Sequence, residues 1–139
     1  MSNFRGTFIC EYVGEIINFD EAEKRGSYYS DIGRSYLFDL DFHMQEKPYT
    51  IDAFVYGNIS RFLNHSCSPN CQIWPVHWDC MDENFPRLAV FANRAIKANE
   101  ELTFDYSGGA MNVEASDEGK VKFMECKCGA ANCKKILYT

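Results

Sequence analysis

Three cysteines, Cys126, Cys128 and Cys133, lie within the short segment C-K-C-G-A-A-N-C. Thiols this close together cannot all pair with one another, and as thiolates they suit tetrahedral Zn²⁺. A fourth ligand must then come from elsewhere in the chain. Cys67, in a polar loop between turn-forming residues, is the first candidate, and Cys71 is the reserve. The alternative is a trio of reduced surface cysteines, which proteins usually avoid exposing.

A second group of polar side chains lies in R-F-L-N-H-S-C-S-P-N, residues 61–70. This short loop holds Asn64, His65 and further amide and hydroxyl groups, with few apolar anchors. Buried polar groups need hydrogen-bond partners, so the loop either folds on itself or binds a polar ligand. The residues alone leave both interpretations open. His65 and Cys67 also suggest a thiol nucleophile, but Cys67 has a better use as a metal ligand.

Two tyrosines form the third candidate group. Tyr106 ends the motif F-D-Y at 104–106, and Tyr12 lies in E-Y-V-G-E at 11–15. Taken alone, each tyrosine is expected to be half-buried, with its ring packed and its hydroxyl hydrogen-bonded. A functional role for these two tyrosines can be argued only from a longer set of motifs along the chain.

The charge of the chain bears on its partners. The 139 residues carry a net charge of −6. Counterion release requires a basic face, so duplex DNA is not expected as a direct ligand. The acidic balance suits a basic peptide, or serves solubility alone. The odd number of cysteines and the lack of a long apolar run favour a reducing compartment and no membrane span.

Short strands must position these side chains. β-Branched and aromatic residues predict a strand or strand pair over 8–17, broken at Gly14. Asn18 as N-cap and Gly26 as stop predict one helix over 19–25. Four further strands are predicted at 36–41, 49–52, 71–76 and 87–92, and a last strand at 101–106. A single helical turn is predicted at 58–63. The predicted fold is one domain, mainly β with short helices, of the β-rich α+β class.

Five motifs resemble one family in their order and spacing: E-Y-V-G-E at 11–15, Y-L-F-D-L-D at 36–41, Y-G-N-I-S-R-F-L-N-H-S-C-S-P-N at 56–70, E-E-L-T-F-D-Y at 100–106 and C-x-C-x4-C at 126–133. The chain resembles a SET domain followed by its post-SET zinc segment. Within that family it is similar to the Su(var)3-9 and G9a-like histone H3 lysine methyltransferases. The resemblance implies several small sheets, a threaded, pseudoknot-like N-H-S-C loop and a zinc-bound C-terminal tail.

The resemblance also implies roles for individual residues. The methyl donor is S-adenosylmethionine, and its pocket is lined or covered by residues matching Tyr36, Arg61, Asn64, His65, Tyr106, Leu137 and Tyr138. Tyr106 matches the catalytic tyrosine, Tyr12 the tyrosine facing it, and Phe104 the position that tunes how many methyl groups fit. The zinc ligands match Cys67, Cys126, Cys128 and Cys133.

The implied substrate is a lysine of the histone H3 tail in an A-R-K-S context, carried to two or three methyl groups. The tail is expected to add as a strand beside 36–41. There Asp39 and Asp41 are expected to pair with the arginine next to the target lysine. The implied setting is the nucleus, with chromatin reached through other domains, in heterochromatin and gene silencing.

The domain boundaries predicted from this resemblance are a SET domain at 1–106, a flexible Gly/Ser/Glu-rich linker at 107–122 and a post-SET segment at 123–139. The G-x-G turn and the cysteine-rich pre-SET cluster of the family are not matched. This departure leaves a second interpretation open, a catalytically inactive SET fragment that serves as a zinc-containing module for binding histones or other proteins. A purely structural zinc domain explains the cysteines but not Asn64, His65 or Tyr106.

Overall fold

A computed structural model describes residues 4–43, 46–107 and 123–138 of the chain. The described residues form one helix, one 3₁₀ turn and ten short strands, in the chain order β1 (Phe8–Tyr12), β2 (Gly14–Ile17), α1 (Phe19–Asp31), β3 (Leu37–Asp39), β4 (Thr50–Gly57), the 3₁₀ turn (Ile59–Phe62), β5 (Asn64–His65), β6 (Cys71–Val76), β7 (Arg87–Ala92), β8 (Thr103–Phe104), β9 (Phe123–Glu125) and β10 (Ile136–Tyr138). The predicted β-rich class with little helix is confirmed.

The strands form four small sheets. Two sheets have three strands each, in the orders β1-β7-β6 and β2-β4-β3, and two are pairs, β5 with β8 and β9 with β10. β5 and β8 run parallel, with Asn64 opposite Thr103 and His65 opposite Phe104. Residues almost forty positions apart are therefore held side by side. This pairing fixes the geometry of the two motifs that the sequence marks most strongly.

The chain divides into two compact units. The first comprises Met1–Ile9, Leu63–Ile73 and Val90–Thr139. Its buried apolar side chains include Val90, Ile96 and Phe104. Burial of such side chains supplies most of the drive for folding, at about 25 cal/mol per Å² of apolar surface.

Asn70 is the polar centre of the first unit. Its side chain is 2% exposed. The Asn70 Nδ2 donates to the Glu101 carbonyl oxygen at 2.7 Å and to Glu100 Oε1 at 3.1 Å, and its Oδ1 accepts from the Thr103 N–H at 2.9 Å. Hydrogen bonds to Arg94, to the Lys97 backbone and to Asn70 lower the pKa of Glu100 to about 2. Asn70 therefore ties the loop after β5 to the segment that leads into β8.

The second unit comprises Cys10–Phe62 and Trp74–Ala89. It contains α1 and the sheet β2-β4-β3, and Tyr29, Leu40 and Ile51 lie in its core. The Tyr29 ring stacks on the Phe54 ring, with centroids 4.6 Å apart. One face of the helix is thereby packed against β4.

A buried carboxylate fastens α1 to β4 in this unit. Asp52 is 1% exposed, and its Oδ2 accepts hydrogen bonds from Arg25 Nη1 and from the Tyr29 hydroxyl, both at 2.8 Å. Arg25 also pairs with Glu15 and Glu21 at 2.8 Å. Burial, followed by the hydrogen bond to Asp52, raises the pKa of Tyr29 to about 12. A carboxylate buried this deeply is tolerated because it accepts hydrogen bonds from Arg25, from Tyr29 and from the Phe54 N–H.

The helix differs from the prediction at its C-terminal end. The predicted cap is present, since the Asn18 Oδ1 accepts from the Glu21 N–H at 2.9 Å. The helix does not stop at Gly26 but continues to Asp31. At Gly26 an added Cβ would lie 3.5 Å from the Leu37 side chain, so this glycine faces a neighbouring strand. The chain leaves the helical conformation after Ile32, where Gly33 has a φ of +68°.

Strand bounds also differ in part. The predicted strands at 71–76 and 87–92 are found with those bounds as β6 and β7, and the break in the first strand lies at Val13 rather than Gly14. A Cβ on Gly14 would lie 2.6 Å from the Asp52 carbonyl oxygen, so the glycine serves close strand contact. β3 and β8 are shorter than predicted, and β4 is longer. The predicted linker at 107–122 lies, apart from Ser107, outside the described residues.

In the described ranges no helix combines the length and the apolar character needed to cross a membrane.

Candidate functional site

Four cysteine sulfur atoms meet in the first unit. The Sγ atoms of Cys67, Cys126, Cys128 and Cys133 all lie within 4.8 Å of one another. Cys67 therefore stands where the sequence placed the fourth ligand. Cys71, the reserve, is 1% exposed and directs its thiol to Asn70 Oδ1 at 3.4 Å, away from the group.

The backbone around this group is arranged to receive thiolates. The Lys134 N–H donates to Cys67 Sγ and the Lys135 N–H to Cys133 Sγ, each at 3.4 Å. Asn132 Nδ2 donates to the Cys67 carbonyl oxygen at 3.1 Å, which ties the tail to the earlier loop. Backbone hydrogen bonds at Cys67 and Ala130 lower the pKa of the Cys128 thiol to about 6. Against a backbone hydrogen bond at Cys128, desolvation and the neighbouring thiols raise the pKa of Cys126, so zinc binding would release a proton from that thiol.

These four sulfurs fit a structural zinc ion. Four thiolates around one point match the closed tetrahedral set of such sites, with Zn–S distances of about 2.3 Å. Zinc bound by Cys67, Cys126, Cys128 and Cys133 would join the segment carrying β9 and β10 to the loop after β5. The metal would act there as a brace, since a closed set leaves no position for a substrate.

Zinc removal is expected to loosen the tail first. Purified, reduced protein should contain one zinc per chain, and a chelator should raise amide hydrogen exchange in β9 and β10 well before β6 and β7. Inductively coupled plasma mass spectrometry and hydrogen-exchange mass spectrometry give the two measurements. Replacing Cys80, an exposed cysteine outside the group, by Ser is the matched control and should change neither. Metal-free protein with an unchanged tail would contradict the assignment.

His65 and Tyr106 contact each other beside the cysteine group. The Tyr106 N–H donates to His65 Nδ1 at 3.1 Å, and the two rings meet edge to face with centroids 5.3 Å apart. On its other side, His65 Nε2 lies 3.4 Å from Cys67 Sγ. Burial lowers the pKa of His65, against the opposing charge of Asp105. The preceding residue, Asn64, is exposed and donates from Nδ2 to Glu101 Oε1 at 2.7 Å.

The Tyr106 side chain is held by its hydroxyl and by its ring. The hydroxyl donates to the Leu63 carbonyl oxygen at 2.8 Å. The ring lies against the Phe104 ring, with centroids 4.8 Å apart. Phe104 is 6% exposed, whereas Tyr106 is 40% exposed. An aromatic wall with one accessible phenol is therefore built at the end of β8.

A small cleft opens beside these residues. Its lining includes His65, Asp105, Ser107 and Leu137, and its volume of about 20 Å³ is little more than one water molecule needs. Leu137, predicted to cover a ligand, thus lines the same cleft as His65. Tyr138 belongs to β10, and its side chain lies outside the described part of the structure.

The second unit holds the other predicted site residues. Tyr12 is 5% exposed, and its hydroxyl donates to the Tyr36 carbonyl oxygen at 3.1 Å. The Arg61 guanidinium lies over the Tyr36 ring, 4.5 Å from its centroid. Among the described residues, the buried Arg61 Nε has no hydrogen-bond partner. An N–H in this state is an available donor for a ligand acceptor.

Asp39 and Asp41 lie at one edge of a sheet. β3 pairs with β4 and is the terminal strand in the order β2-β4-β3. Both residues are exposed, and Asp39 Oδ1 accepts from the Thr50 hydroxyl at 2.6 Å. Desolvation raises the pKa of Asp39, and the hydrogen bond from Thr50 opposes that rise.

Sequence reasoning missed two groups that shape the site. Asn70 and Glu100 hold the β5 and β8 segments together, and Asn132 binds the Cys67 carbonyl group. Asn70 closes the N-H-S-C-S-P-N motif, so its position in a marked loop was the available signal. Glu100 and Asn132 also lie inside motifs, at 100–106 and 126–133, but nothing in those motifs indicated the contacts of these two side chains.

The fold and this site define a class of protein. Small sheets with a parallel β5–β8 pair, a tyrosine at the end of β8 and a four-cysteine tail agree with the family model described as "SET domain", which matches residues 4–107. The chain belongs to the SET-domain family.

Two curated proteins that are similar to this chain are described as histone-lysine N-methyltransferases. The chain is 48% identical over 152 residues to the histone-lysine N-methyltransferase SUV39H1-A of Danio rerio, covering 96% of this chain and 36% of the relative. It is also 48% identical over 136 residues to the histone-lysine N-methyltransferase Su(var)3-9 of Drosophila melanogaster, covering 96% of this chain and 21% of the relative. The chain thus spans between about a fifth and just over a third of these relatives.

Solved structures agree with the fold. Arabidopsis thaliana SUVH6 in complex with SAM matches with a TM-score of 0.78 at 39% identity, covering 99% of this chain and 29% of that chain. KRYPTONITE in complex with mCHG DNA and SAH matches with a TM-score of 0.71 at 31% identity, covering 99% of this chain and 25% of that chain.

Proposed function

We propose that this chain is the catalytic segment of a histone-lysine methyltransferase that uses S-adenosylmethionine. The observation that carries the proposal is the assembly in the first unit, where His65, Phe104 and Tyr106 lie together beside the thiol group. The names of the relatives, all histone-lysine methyltransferases, and the SAM and SAH in the solved structures support this choice over a binding module.

Seven residues are proposed to bind the donor: Asn64, His65, Tyr106, Leu137, Tyr138, Tyr36 and Arg61. When bound, S-adenosylmethionine supplies a methyl group attached to a positively charged sulfur, and the neutral sulfide that remains leaves readily. One observation suits this ligand. The buried Arg61 Nε–H has no hydrogen-bond partner among the described residues, so it is available to an acceptor such as a carboxylate.

The protein's own residues act on the lysine amine. Phe104 and Tyr106 form an apolar wall, and loss of water there favours the neutral amine over the ammonium. The Tyr106 oxygen, held by the Leu63 carbonyl group, is the proposed group that keeps the nitrogen aligned for attack. Tyr12 is proposed to share this positioning task. Aromatic faces also attract the alkylammonium product.

Changing Phe104 to Tyr is expected to reduce the number of methyl groups transferred. We propose that the unchanged protein forms di- and trimethyl-lysine, because Phe104 leaves out a hydroxyl and the water it would bind. A tyrosine there would fill the space that added methyl groups need, so the product should shift to monomethyl-lysine. Mass spectrometry of a histone H3 peptide measures the distribution.

The matched control for this change is Phe91→Tyr, which adds the same hydroxyl on β7 of the first unit. It should leave the product distribution unchanged. An unmodified protein that stops at one methyl group would overturn the proposed multiplicity.

The proposed substrate is a lysine that follows an arginine in the A-R-K-S context of the histone H3 tail. The exposed edge of β3 suits an added peptide strand. Asp39 and Asp41, both exposed near that edge, would face the arginine, in keeping with the net charge of −6. A carboxylate and a guanidinium form a charge-assisted, often bidentate pair.

Removing either carboxylate is expected to weaken peptide binding. Asp39→Ala or Asp41→Ala should cost about 1–3 kcal/mol, the scale of one charged hydrogen bond. Fluorescence anisotropy with a labelled H3 peptide measures binding, and Asp31→Ala on α1 is the control. Equal binding of peptides with and without the arginine would contradict this recognition.

We propose the nucleus as the location, with chromatin reached through other domains of the protein and heterochromatin silencing as the process. The names of the SUV39H and Su(var)3-9 relatives support this setting.

A further inference from the structure

His65 lies between two groups that the proposed function uses separately. Its side chain is 8% exposed. Nδ1 lies 3.1 Å from the Tyr106 backbone nitrogen, and Nε2 lies 3.4 Å from Cys67 Sγ. One ring therefore spans from the thiol group to the residue that carries the proposed catalytic hydroxyl.

The chemistry of the two neighbours fixes the direction of both hydrogen bonds. The Tyr106 N–H can only donate, so His65 Nδ1 must accept and carries no proton. In a neutral imidazole the proton then lies on Nε2, which points at Cys67 Sγ. The sulfur of a metal-binding thiolate is an acceptor, so this bond is complementary. The Asp105 carboxylate, 3.8 Å from Nδ1, is too far away to compete as a hydrogen-bond partner.

We propose that His65 is a positioning residue that couples the thiolate group to Tyr106, in addition to any contact with the donor. The coupling consists of three hydrogen bonds. His65 Nε2–H donates to Cys67 Sγ, and His65 Nδ1 accepts from the Tyr106 backbone N–H. The Tyr106 hydroxyl in turn donates to the Leu63 carbonyl oxygen. This inference rests on the proposed function. It adds that zinc binding, by fixing the sulfur acceptor on one side of the ring, reinforces the tautomer that the Tyr106 N–H requires on the other side.

Packing alone would give a different pattern of effects. The edge-to-face contact of the His65 and Tyr106 rings needs only an aromatic ring and is indifferent to which nitrogen carries the proton. The coupling needs an acceptor at Nδ1 and a donor at Nε2 at the same time. Variants that keep one function each therefore separate the two explanations.

His65→Asn and His65→Gln are those variants. The Asn side-chain oxygen can take the place of Nδ1 and accept from Tyr106, but the side chain is too short to reach Cys67. The Gln amide can take the place of Nε2 and donate to the sulfur, but it offers no acceptor to Tyr106. We expect His65→Asn to release zinc to a chelator about tenfold faster with little change in Tyr106 amide exchange. His65→Gln should show the reverse, with zinc release near that of the unchanged protein and Tyr106 amide exchange about tenfold faster.

The closing experiment is nitrogen NMR of the His65 ring in the zinc-loaded, unchanged protein, repeated after chelation. The expected result is a protonated Nε2 and an unprotonated Nδ1 with zinc, and loss of the Tyr106 N–H to Nδ1 coupling without it. A proton on Nδ1 in the zinc-loaded protein would overturn the inference, and so would equal effects of His65→Asn and His65→Gln. The measurement needs no methyl transfer. Failure of the proposed function would appear as an inactive protein with the expected ring spectrum, and failure of the coupling as an active protein with the other tautomer.

Discussion

Replacing Tyr106 by Phe is expected to lower the rate of methyl transfer by roughly a hundredfold or more. The change removes one oxygen, the proposed group that holds the lysine nitrogen on the line of attack. The ring contact with Phe104 and the backbone bond to His65 remain. Single-turnover transfer to a histone H3 peptide, followed by mass spectrometry, measures the rate.

Stability should change little in this variant. The lost hydrogen bond to Leu63 belongs to a residue that is 40% exposed, and such a bond contributes about 1 kcal/mol or less. Tyr28→Phe, which removes an exposed hydroxyl from α1, is the matched control and should keep full activity. Near-normal turnover by Tyr106→Phe would show that Tyr106 is only a packed strand-end residue.

Replacing Asp52 by Ala is expected to destabilise the protein by about 3–5 kcal/mol. Asp52 is 1% exposed and accepts bonds from Arg25, Tyr29 and the Phe54 N–H. Its loss leaves the Arg25, Tyr29 and Phe54 donors without their acceptor and removes the hydrogen bonds that join α1 to β4. Urea unfolding at fixed zinc concentration, followed by circular dichroism, measures the change in the free energy of unfolding.

Two comparisons sharpen this prediction. Asp52→Asn keeps the shape and part of the hydrogen bonding, so it should cost less than Asp52→Ala. Glu21→Ala removes a more exposed partner of the same Arg25, and it should cost much less than Asp52→Ala. If Glu21→Ala and Asp52→Ala cost the same, burial of the charge is not what makes the pair matter.

The bounds of β6 and β7 were predicted correctly. Apolar, aromatic and β-branched residues dominate both segments, which is typical of strands. The end of α1 was wrong because Gly26, a stop signal in isolation, lies inside the helix, and the left-handed residue that follows the helix is Gly33. A glycine within a helix and a glycine that ends one look the same in the sequence.

The site was predictable where spacing alone carries the chemistry. The spacing of Cys126, Cys128 and Cys133 predicts a metal site, and Cys67 supplies the fourth sulfur of the group. The parallel pairing of β5 with β8 could not be predicted from local propensity, since it joins distant dipeptides. The orientation of His65 depends on that pairing, so its two hydrogen bonds were not predictable either.

The central claim is that this chain carries methyl transfer from S-adenosylmethionine to a histone lysine. The most direct test uses a donor with a deuterated methyl group, a histone H3 tail peptide and the zinc-loaded protein, with the peptide mass measured over time. The account predicts the mass of deuterated methyl groups on the lysine after arginine, and their near absence with Tyr106→Phe. A folded, zinc-loaded protein that binds donor and peptide but leaves every lysine unlabelled would contradict it.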